Sequence, residues 1–132
     1  MFPRPRTFAA AAAAALLALV PASATRATEP AQPHGEIFLT ISDAGNTWIR
    51  GVLLTCPDQD GPHPRADEAC ILLDQAGGRM RALPEREQHC TAHHAPVTAS
   101  ATGTWRDVRI SWQGKYPSTC ALVRKTGAVF DF

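Results

Sequence analysis

The chain has 132 residues, of which 45% are hydrophobic and 19% charged, as in ordinary globular proteins. This length allows one small domain and excludes two large ones. The formal charge is +1 at pH 7, so charge gives no reason to expect nucleic acid or an anionic membrane as a partner.

The first 24 residues differ in composition from the rest. Arg4 and Arg6 precede an apolar run over residues 8–20, and residues 22–24 read Ala-Ser-Ala, the small-x-small form that signal peptidase accepts. The apolar run is too short to cross a bilayer, so residues 1–24 are predicted to be a secretory signal peptide. We therefore expect a secreted, extracellular protein. Its remaining residues carry 11 basic and 12 acidic side chains, and the excess of arginine over lysine hints at a bacterial source.

Residues 25–35 contain two prolines and little that is apolar, and they are interpreted as a flexible N-terminal leader. A folded domain is predicted over residues 36–132. It opens with an alternating strand that places Ile37, Leu39 and Ile41 on one face, followed by turn residues at 43–46. Residues 48–56 then predict a second strand, which forms a hairpin with the first.

A polar loop at residues 57–64 leads to a short predicted helix. Asp67 is expected to cap this helix and Gly77 to end it. Its buried face is predicted to contain Ala69, Cys70, Leu73 and Ala76. The apolar residues of the segment 79–96 follow neither a helical nor a strand periodicity. The segment is therefore predicted to be a long irregular loop, and such loops are more often functional than not.

The rest of the chain alternates between strand and helix patterns. Strands are predicted at residues 97–105, 107–112 and 128–132, and Ser118 is expected to cap a short helix that has Arg124 and Lys125 in its last turn. The pattern predicts an α+β domain with an antiparallel sheet of about five strands and two short helices.

Four cysteines, Cys56, Cys70, Cys90 and Cys120, all lie after the signal segment. An even number in a small exported chain predicts two disulfides. Zinc sites use cysteine pairs two to four residues apart, and the gaps here are far longer. Three pairings are possible, of which the sequential one closes the shortest loops.

The stretch from His89 to Pro96 holds one cysteine and three of the five histidines. A nucleophilic Cys90 needs a free thiolate, which oxidation removes. A metal site of His89, His93 and His94 needs helical spacing, which Pro96 opposes. An exposed polar loop with no role is the plainest reading.

A further interpretation treats this stretch as an extended peptide offered to a protease. Cys90 ties one end and Pro96 stiffens the other, so that little conformational freedom is lost on docking. No paired carboxylates or Ser/His/Asp set indicates an enzyme, and no cofactor is expected.

Several motifs resemble the Streptomyces subtilisin inhibitor family. Residues 54–78, LTCPDQDGPHPRADEACILLDQAGG, carry Cys-Pro, Gly-x-His-Pro, Ala-Cys and Gly-Gly in the family's order. Cys90, Pro96-Val97, the GTW at 103–105, Cys120 and the closing AVFDF continue the match. The resemblance extends over about residues 36–132.

This resemblance implies a five-stranded antiparallel sheet with two helices, a homodimer packed through its sheets, and disulfides Cys56–Cys70 and Cys90–Cys120. It also implies substrate-like inhibition of extracellular serine proteases, chiefly subtilisins. The reactive bond two residues after the third cysteine corresponds to Ala92–His93, with Ala92 as the specificity residue. The remaining loop contacts would be His89, Cys90, Thr91, His94, Ala95 and Pro96.

Two residues depart from the family pattern. Thr91 stands where proline is common, and His89 stands where subtilisins prefer an apolar side chain. The alternative to inhibition is a secreted, disulfide-bonded binding module of the same fold without inhibitory activity, able to bind metal through His89, His93 and His94.

Overall fold

The computed structural model describes residues 14–15, 21–25, 32–58, 60–91 and 94–132. The chain divides into two compact units, Met1–Pro30 and Ala31–Phe132. In the first unit, the described residues 14–15 and 21–25 are in neither helix nor strand. No helix among the described residues is long and apolar enough to cross a membrane.

The second unit contains one antiparallel sheet of four strands: β1 (Gly35–Asp43), β2 (Ile49–Cys56), β3 (Val97–Trp105) and β4 (Val108–Tyr116). The strand order is β2-β1-β3-β4, so β1 and β3 are central and β2 and β4 are the edges. The predicted alternation of β1 is confirmed: Ile37, Leu39 and Ile41 are buried, while Phe38 between them is exposed. Since β1 begins at Gly35, the sheet starts inside the segment interpreted as a leader.

The β1–β2 turn is held by the carboxylate of Asp43. Its Oδ1 accepts hydrogen bonds from the backbone N–H groups of Thr47 (2.7 Å) and Trp48 (3.2 Å), and its Oδ2 accepts from the Thr47 hydroxyl. These bonds, led by that of the Thr47 hydroxyl, lower the pKa of Asp43. Asn46 adopts a left-handed φ of 53°, as asparagine tolerates in turns, so the predicted turn is confirmed.

Two helices lie against one face of the sheet, α1 (Ala66–Ala76) and α2 (Thr119–Thr126). Ser118 caps α2 as predicted, its Oγ accepting from the N–H of Ala121 at 3.1 Å. Gly77 ends α1 in the left-handed conformation with φ 62°, also as predicted. The expected cap of α1 is wrong, because the helix begins at buried Ala66 and leaves Asp67 in its first turn.

The predicted fifth strand at residues 128–132 is absent from the described structure. Residues Gly127–Phe130 form a 3₁₀ turn that packs against α1, and Ala128, Val129 and Phe130 are all fully buried. A strand would have turned every second one of these side chains away from the core. The buried His63 ring fixes the turn, with Nε2 at 2.9 Å from the carbonyl oxygen of Val129. The sheet therefore has four strands and not the five expected.

Both disulfides have the sequential pairing, which confirms the shortest-loop prediction. Cys56–Cys70 joins the end of β2 to α1, with a Cα–Cα distance of 5.5 Å. Cys90–Cys120 joins the irregular segment before β3 to α2, with a Cα–Cα distance of 5.8 Å. On the chain-entropy model, loops of this size contribute about 3–4 kcal/mol each.

The buried face of β1 should dominate stability. Ile41 is 0% exposed in the central strand, and Ile71 is 58% exposed on α1. We expect Ile41→Ala to lower the free energy of unfolding by about 3 kcal/mol through lost burial and the cavity left behind. The matched change Ile71→Ala should alter it by less than about 0.5 kcal/mol. Urea unfolding measures both, and equal effects would contradict the described core.

Candidate functional site

The irregular segment between the two halves of the sheet begins and ends at buried residues. Leu83 follows a 3₁₀ turn over Met80–Ala82 and is buried in the core, as is Val97 at the start of β3. Between them, residues 83–91 and 94–96 have no regular structure, and most are exposed. We call the described residues 84–91 and 94–96 the exposed loop, with residues 84–91 as its first limb and residues 94–96 as its second limb.

Arg86 attaches the first limb of the exposed loop to α2. Its backbone N–H donates a hydrogen bond of 2.7 Å to the carbonyl oxygen of Arg124. A further contact comes from Glu85, whose carboxylate lies 3.2 Å from Lys125 Nζ and 3.7 Å from Arg124 Nε. The first limb is thus held along the last turn of α2 by main-chain and side-chain contacts together.

The guanidinium of Arg86 also joins the loop to α1 and to the C-terminal segment. It lies 3.3 Å from Glu68 Oε1 and 3.5 Å from Asp131 Oδ2. Arg65 contacts the same two carboxylates, with Glu68 Oε2 at 2.7 Å. The hydrogen bond to Asp131 and then the charge of Glu68 raise the pKa of Arg65. Two cations and two carboxylates therefore form one network beneath the first limb.

Covalent attachment follows four residues later, at the Cys90–Cys120 disulfide. Cys120 is the second residue of α2, so the loop is bonded to the start of this helix as well as to its end. Gln88 lies close by, with its Nε2 at 3.3 Å from Cys120 Sγ. The whole first limb thus runs along one helix.

The second limb is attached to the chain just before α2. The N–H of Ala95 donates to the carbonyl oxygen of Pro117 at 3.0 Å. A cleft of about 250 Å³ lies between the two limbs and α2. It is lined by Cys90, Thr91, His94, Pro117, Ser118, Ala121 and Arg124. Because both limbs are attached to α2 or to the residues leading into it, this helix acts as a platform beneath the loop.

The predicted site residues fall into two groups. Six of them are described in the exposed loop: His89, Cys90, Thr91, His94, Ala95 and Pro96. All six are exposed except the half-buried Cys90. The predicted reactive bond, Ala92–His93, lies outside the described residues, between the two attached limbs.

No group of three or more His, Cys, Asp or Glu side chains able to hold a metal is found in the described ranges. His93, one of the three candidate ligands, lies outside them. Both pairs of cysteines are oxidised, so Cys90 has no thiolate to serve as a nucleophile. The described limb residues instead form an exposed peptide segment that is attached to the domain on both sides.

The residues that support the loop could not be identified from the sequence. The charged patch at 85–87 was visible, but its partners Glu68, Arg124 and Asp131 lie 18 to 45 positions away and no local pattern links them. The backbone acceptor of Pro117 has no signal in the sequence.

The chain is similar to known inhibitors over most of its length. A family model described as subtilisin inhibitor-like matches residues 34–118. A "Subtilase-type protease inhibitor" of Streptomyces fradiae is 36% identical over 102 residues, which cover 75% of this chain and 68% of that protein. "Subtilisin inhibitor-like protein 2" of Streptomyces rochei is 37% identical over 102 residues, covering 73% and 90%.

A solved structure has a similar fold. It is that of Streptomyces caespitosus sermetstatin in complex with Bacillus licheniformis subtilisin, and the match has a TM-score of 0.56 at 25% identity. The match covers 74% of this chain and 97% of that one.

The ion-pair network should hold the first limb in place without adding much to global stability. We expect Arg86→Met to increase amide hydrogen exchange across residues 86–91 severalfold, because the side-chain links to Glu68 and Asp131 are lost. The free energy of unfolding should fall by about 1 kcal/mol or less, since the pairs are partly exposed. Arg106→Met is the matched control, because it removes an exposed pair with Asp74 away from the loop. Equal exchange in both variants would show that the network does not position the limb.

Proposed function

Because the chain belongs to the subtilisin inhibitor-like family, we propose that it inhibits a subtilisin-like serine protease by presenting its exposed loop as a substrate. The family is one of protease inhibitors, so the chain is not an enzyme. The attachment of both loop limbs to the platform of α2 is the observation that carries the proposal.

The proposed reactive bond is Ala92–His93. The serine of the protease attacks the Ala92 carbonyl carbon, the C–N bond breaks, and the amine of His93 takes up the proton delivered by the catalytic histidine. In a free substrate this amine diffuses away. Here the Cys90–Cys120 disulfide and the Ala95–Pro117 hydrogen bond hold the two new ends near each other. The amine can therefore attack the acyl-enzyme and re-form the peptide bond.

Tight binding follows from the same attachments. A segment that is already held in place loses little conformational entropy on docking, so more of the contact energy appears as affinity. The interface should be of standard size, on the order of 1,600 Å² in total. Thr91 and His89 of the first limb are proposed to contact the protease. Thr91 stands where proline is common in the family, and His89 stands where subtilisins prefer an apolar side chain.

The size of Ala92 determines which proteases can be inhibited. A pocket with a carboxylate at its base, selective for arginine or lysine, gains nothing from a methyl side chain. A subtilisin-like pocket accepts it.

A homodimer packed through the sheets is also proposed. Phe38 of β1 lies opposite Leu53 of β2 on the outer face of the sheet, away from the helices, and Phe38 is 48% exposed. Ile49 lies on the same face, which continues across β3 as small threonine and serine residues. An exposed apolar strip on a flat sheet favours burial against another protein surface, here a second copy.

Secretion is proposed from the signal segment at residues 1–24 and from the disulfides. Both disulfides lie in the second unit, and such bonds persist in oxidising compartments. We propose that the mature chain begins near residue 25.

The specificity assignment is tested by substituting Ala92. Ala92→Lys should create trypsin inhibition and weaken subtilisin inhibition at least tenfold, because the side chain now suits a carboxylate pocket. The matched control Ile71→Lys, at an exposed position of α1 outside the loop, should leave both activities near those of the parent protein. Prolonged incubation with subtilisin and mass spectrometry should give a nick after Ala92 and a mature mass beginning near residue 25. A nick at another bond would refute the assigned site.

The dimer is tested by placing a charge on the outer face of the sheet. Phe38→Lys should give a monomer at micromolar concentration in analytical ultracentrifugation, because it buries a charge at the proposed interface. Ile71→Lys, an exposed apolar-to-lysine change on α1, is the control and should leave a dimer. A parent protein that is already monomeric would exclude the dimer.

A further inference from the structure

The cations of the described chain are divided between two environments. Five form ion pairs: Arg65, Arg86, Arg106, Arg124 and Lys125. Among the other five described cations, Arg50 lies over the ring of Trp48 at 5.9 Å. The remaining four are Arg79, Arg81, Arg109 and Lys115, and all four line one groove. A chain of near-neutral charge thus concentrates its unpaired cations at a single place.

The groove lies between the edge strand β4 and residues 78–85. All nine residues of β4 line it, so it follows the strand edge along its whole length. Two adjoining parts, of about 450 and 310 Å³, share Met80, Arg81 and Trp112. We call it the β4 groove.

One long edge of the β4 groove is unpaired backbone. β4 pairs with β3 alone, and within residues 32–58, 60–91 and 94–132 no other backbone hydrogen bond reaches it. A strand edge of this kind presents N–H and C=O groups in the spacing that another strand needs. The predicted fifth strand would have been one way to cover a sheet edge, but residues 128–130 are buried in a 3₁₀ turn instead.

The lining of the β4 groove combines apolar and basic side chains. Met80 and Leu83 on one wall and Ile110 and Trp112 on the other are apolar and buried or half-buried. The carboxylate that lines the groove is that of Glu85, which already contacts Lys125 at 3.2 Å. An extended ligand with alternating apolar and acidic side chains would match both features.

We propose that the β4 groove binds an extended acidic peptide segment of a partner protein, which pairs with β4 as a fifth strand. The main chain of the peptide hydrogen-bonds to the β4 edge, while every second side chain enters the apolar lining. Because side chains alternate between the two faces of a sheet, the carboxylates of the peptide lie on the outer face, where they contact Arg109 and Lys115 of β4. This surface shares Glu85 with the exposed loop, but it includes none of the described residues 89–91 and 94–96 that flank the proposed reactive bond.

Symmetric pairing of β4 with the β4 of a second copy is disfavoured. Antiparallel pairing of two β4 strands about Trp112 would place Arg109 of one copy opposite Lys115 of the other, at both ends. Like charges directly across a strand pair are destabilising. The partner segment is therefore acidic and differs from β4.

A labelled nine-residue peptide of alternating glutamate and valine tests the proposal by fluorescence anisotropy with the purified protein. We expect saturable binding that weakens as salt is raised from 50 to 500 mM, because exposed charges are screened. A peptide with lysine in place of glutamate should not bind. A version N-methylated at alternate residues on its strand-pairing edge should bind at least tenfold more weakly, since it cannot donate to β4.

Two protein variants complete the test. Arg109→Gln with Lys115→Gln should weaken binding of the acidic peptide at least threefold, as expected for two exposed charge contacts. Arg50→Gln removes a cation elsewhere on the sheet, one that lies over the ring of Trp48, and should leave binding unchanged.

Two results would overturn the proposal. If inorganic polyphosphate competes fully and N-methylation has no effect, the groove is a general anion surface and forms no strand pair. If the acidic peptide does not bind at all, the cations serve only to protect the edge strand from unwanted pairing. Inhibition of subtilisin by the Arg109→Gln/Lys115→Gln variant reports separately on the exposed loop, so either function can fail without the other.

Discussion

The attachment of the exposed loop to α2 is the constraint on which the proposed activity depends. One limb reaches the last turn of this helix through Arg86 and its first turn through the Cys90–Cys120 disulfide, and the other reaches Pro117. α2 can serve as a platform because it is fixed itself, by the Ser118 cap and by the burial of Ala121, Leu122 and Val123. The helices pack against the sheet, so the loop is attached to a part of the molecule that the core holds in place.

Much of this fold could be predicted from local patterns. The alternation of Ile37, Leu39 and Ile41 identified β1. Gly77 marked the C-terminal end of α1, and Ser118 marked the N-terminal end of α2. The pattern failed at residues 128–132, because alternation of apolar and other residues does not reveal whether a short segment lies in a sheet or is buried on all sides. Only the packing of α1 and the His63–Val129 hydrogen bond resolve that choice.

The candidate site was predicted to a different degree. The position of the loop and its disulfide followed from cysteine spacing and family resemblance, and Ala92–His93 stays a prediction. The supports were not predictable, because Arg86, Glu68 and Asp131 meet only after α1 and the C-terminal segment have packed together. Ion pairs between distant positions leave no periodic signal in one sequence, and a main-chain acceptor such as Pro117 leaves none at all.

The way the loop is attached determines which amino-acid substitutions the protein can tolerate during evolution. Its described attachments are a disulfide, two hydrogen bonds between backbone groups, and ion pairs made by residues 85 and 86. None of them uses the side chains of Thr91 or His94, which flank the proposed reactive bond. Substitutions there can alter which protease is recognised while the cost to folding stays small. Substitutions that adapt the loop to an altered protease can therefore be selected without compensating substitutions in the core.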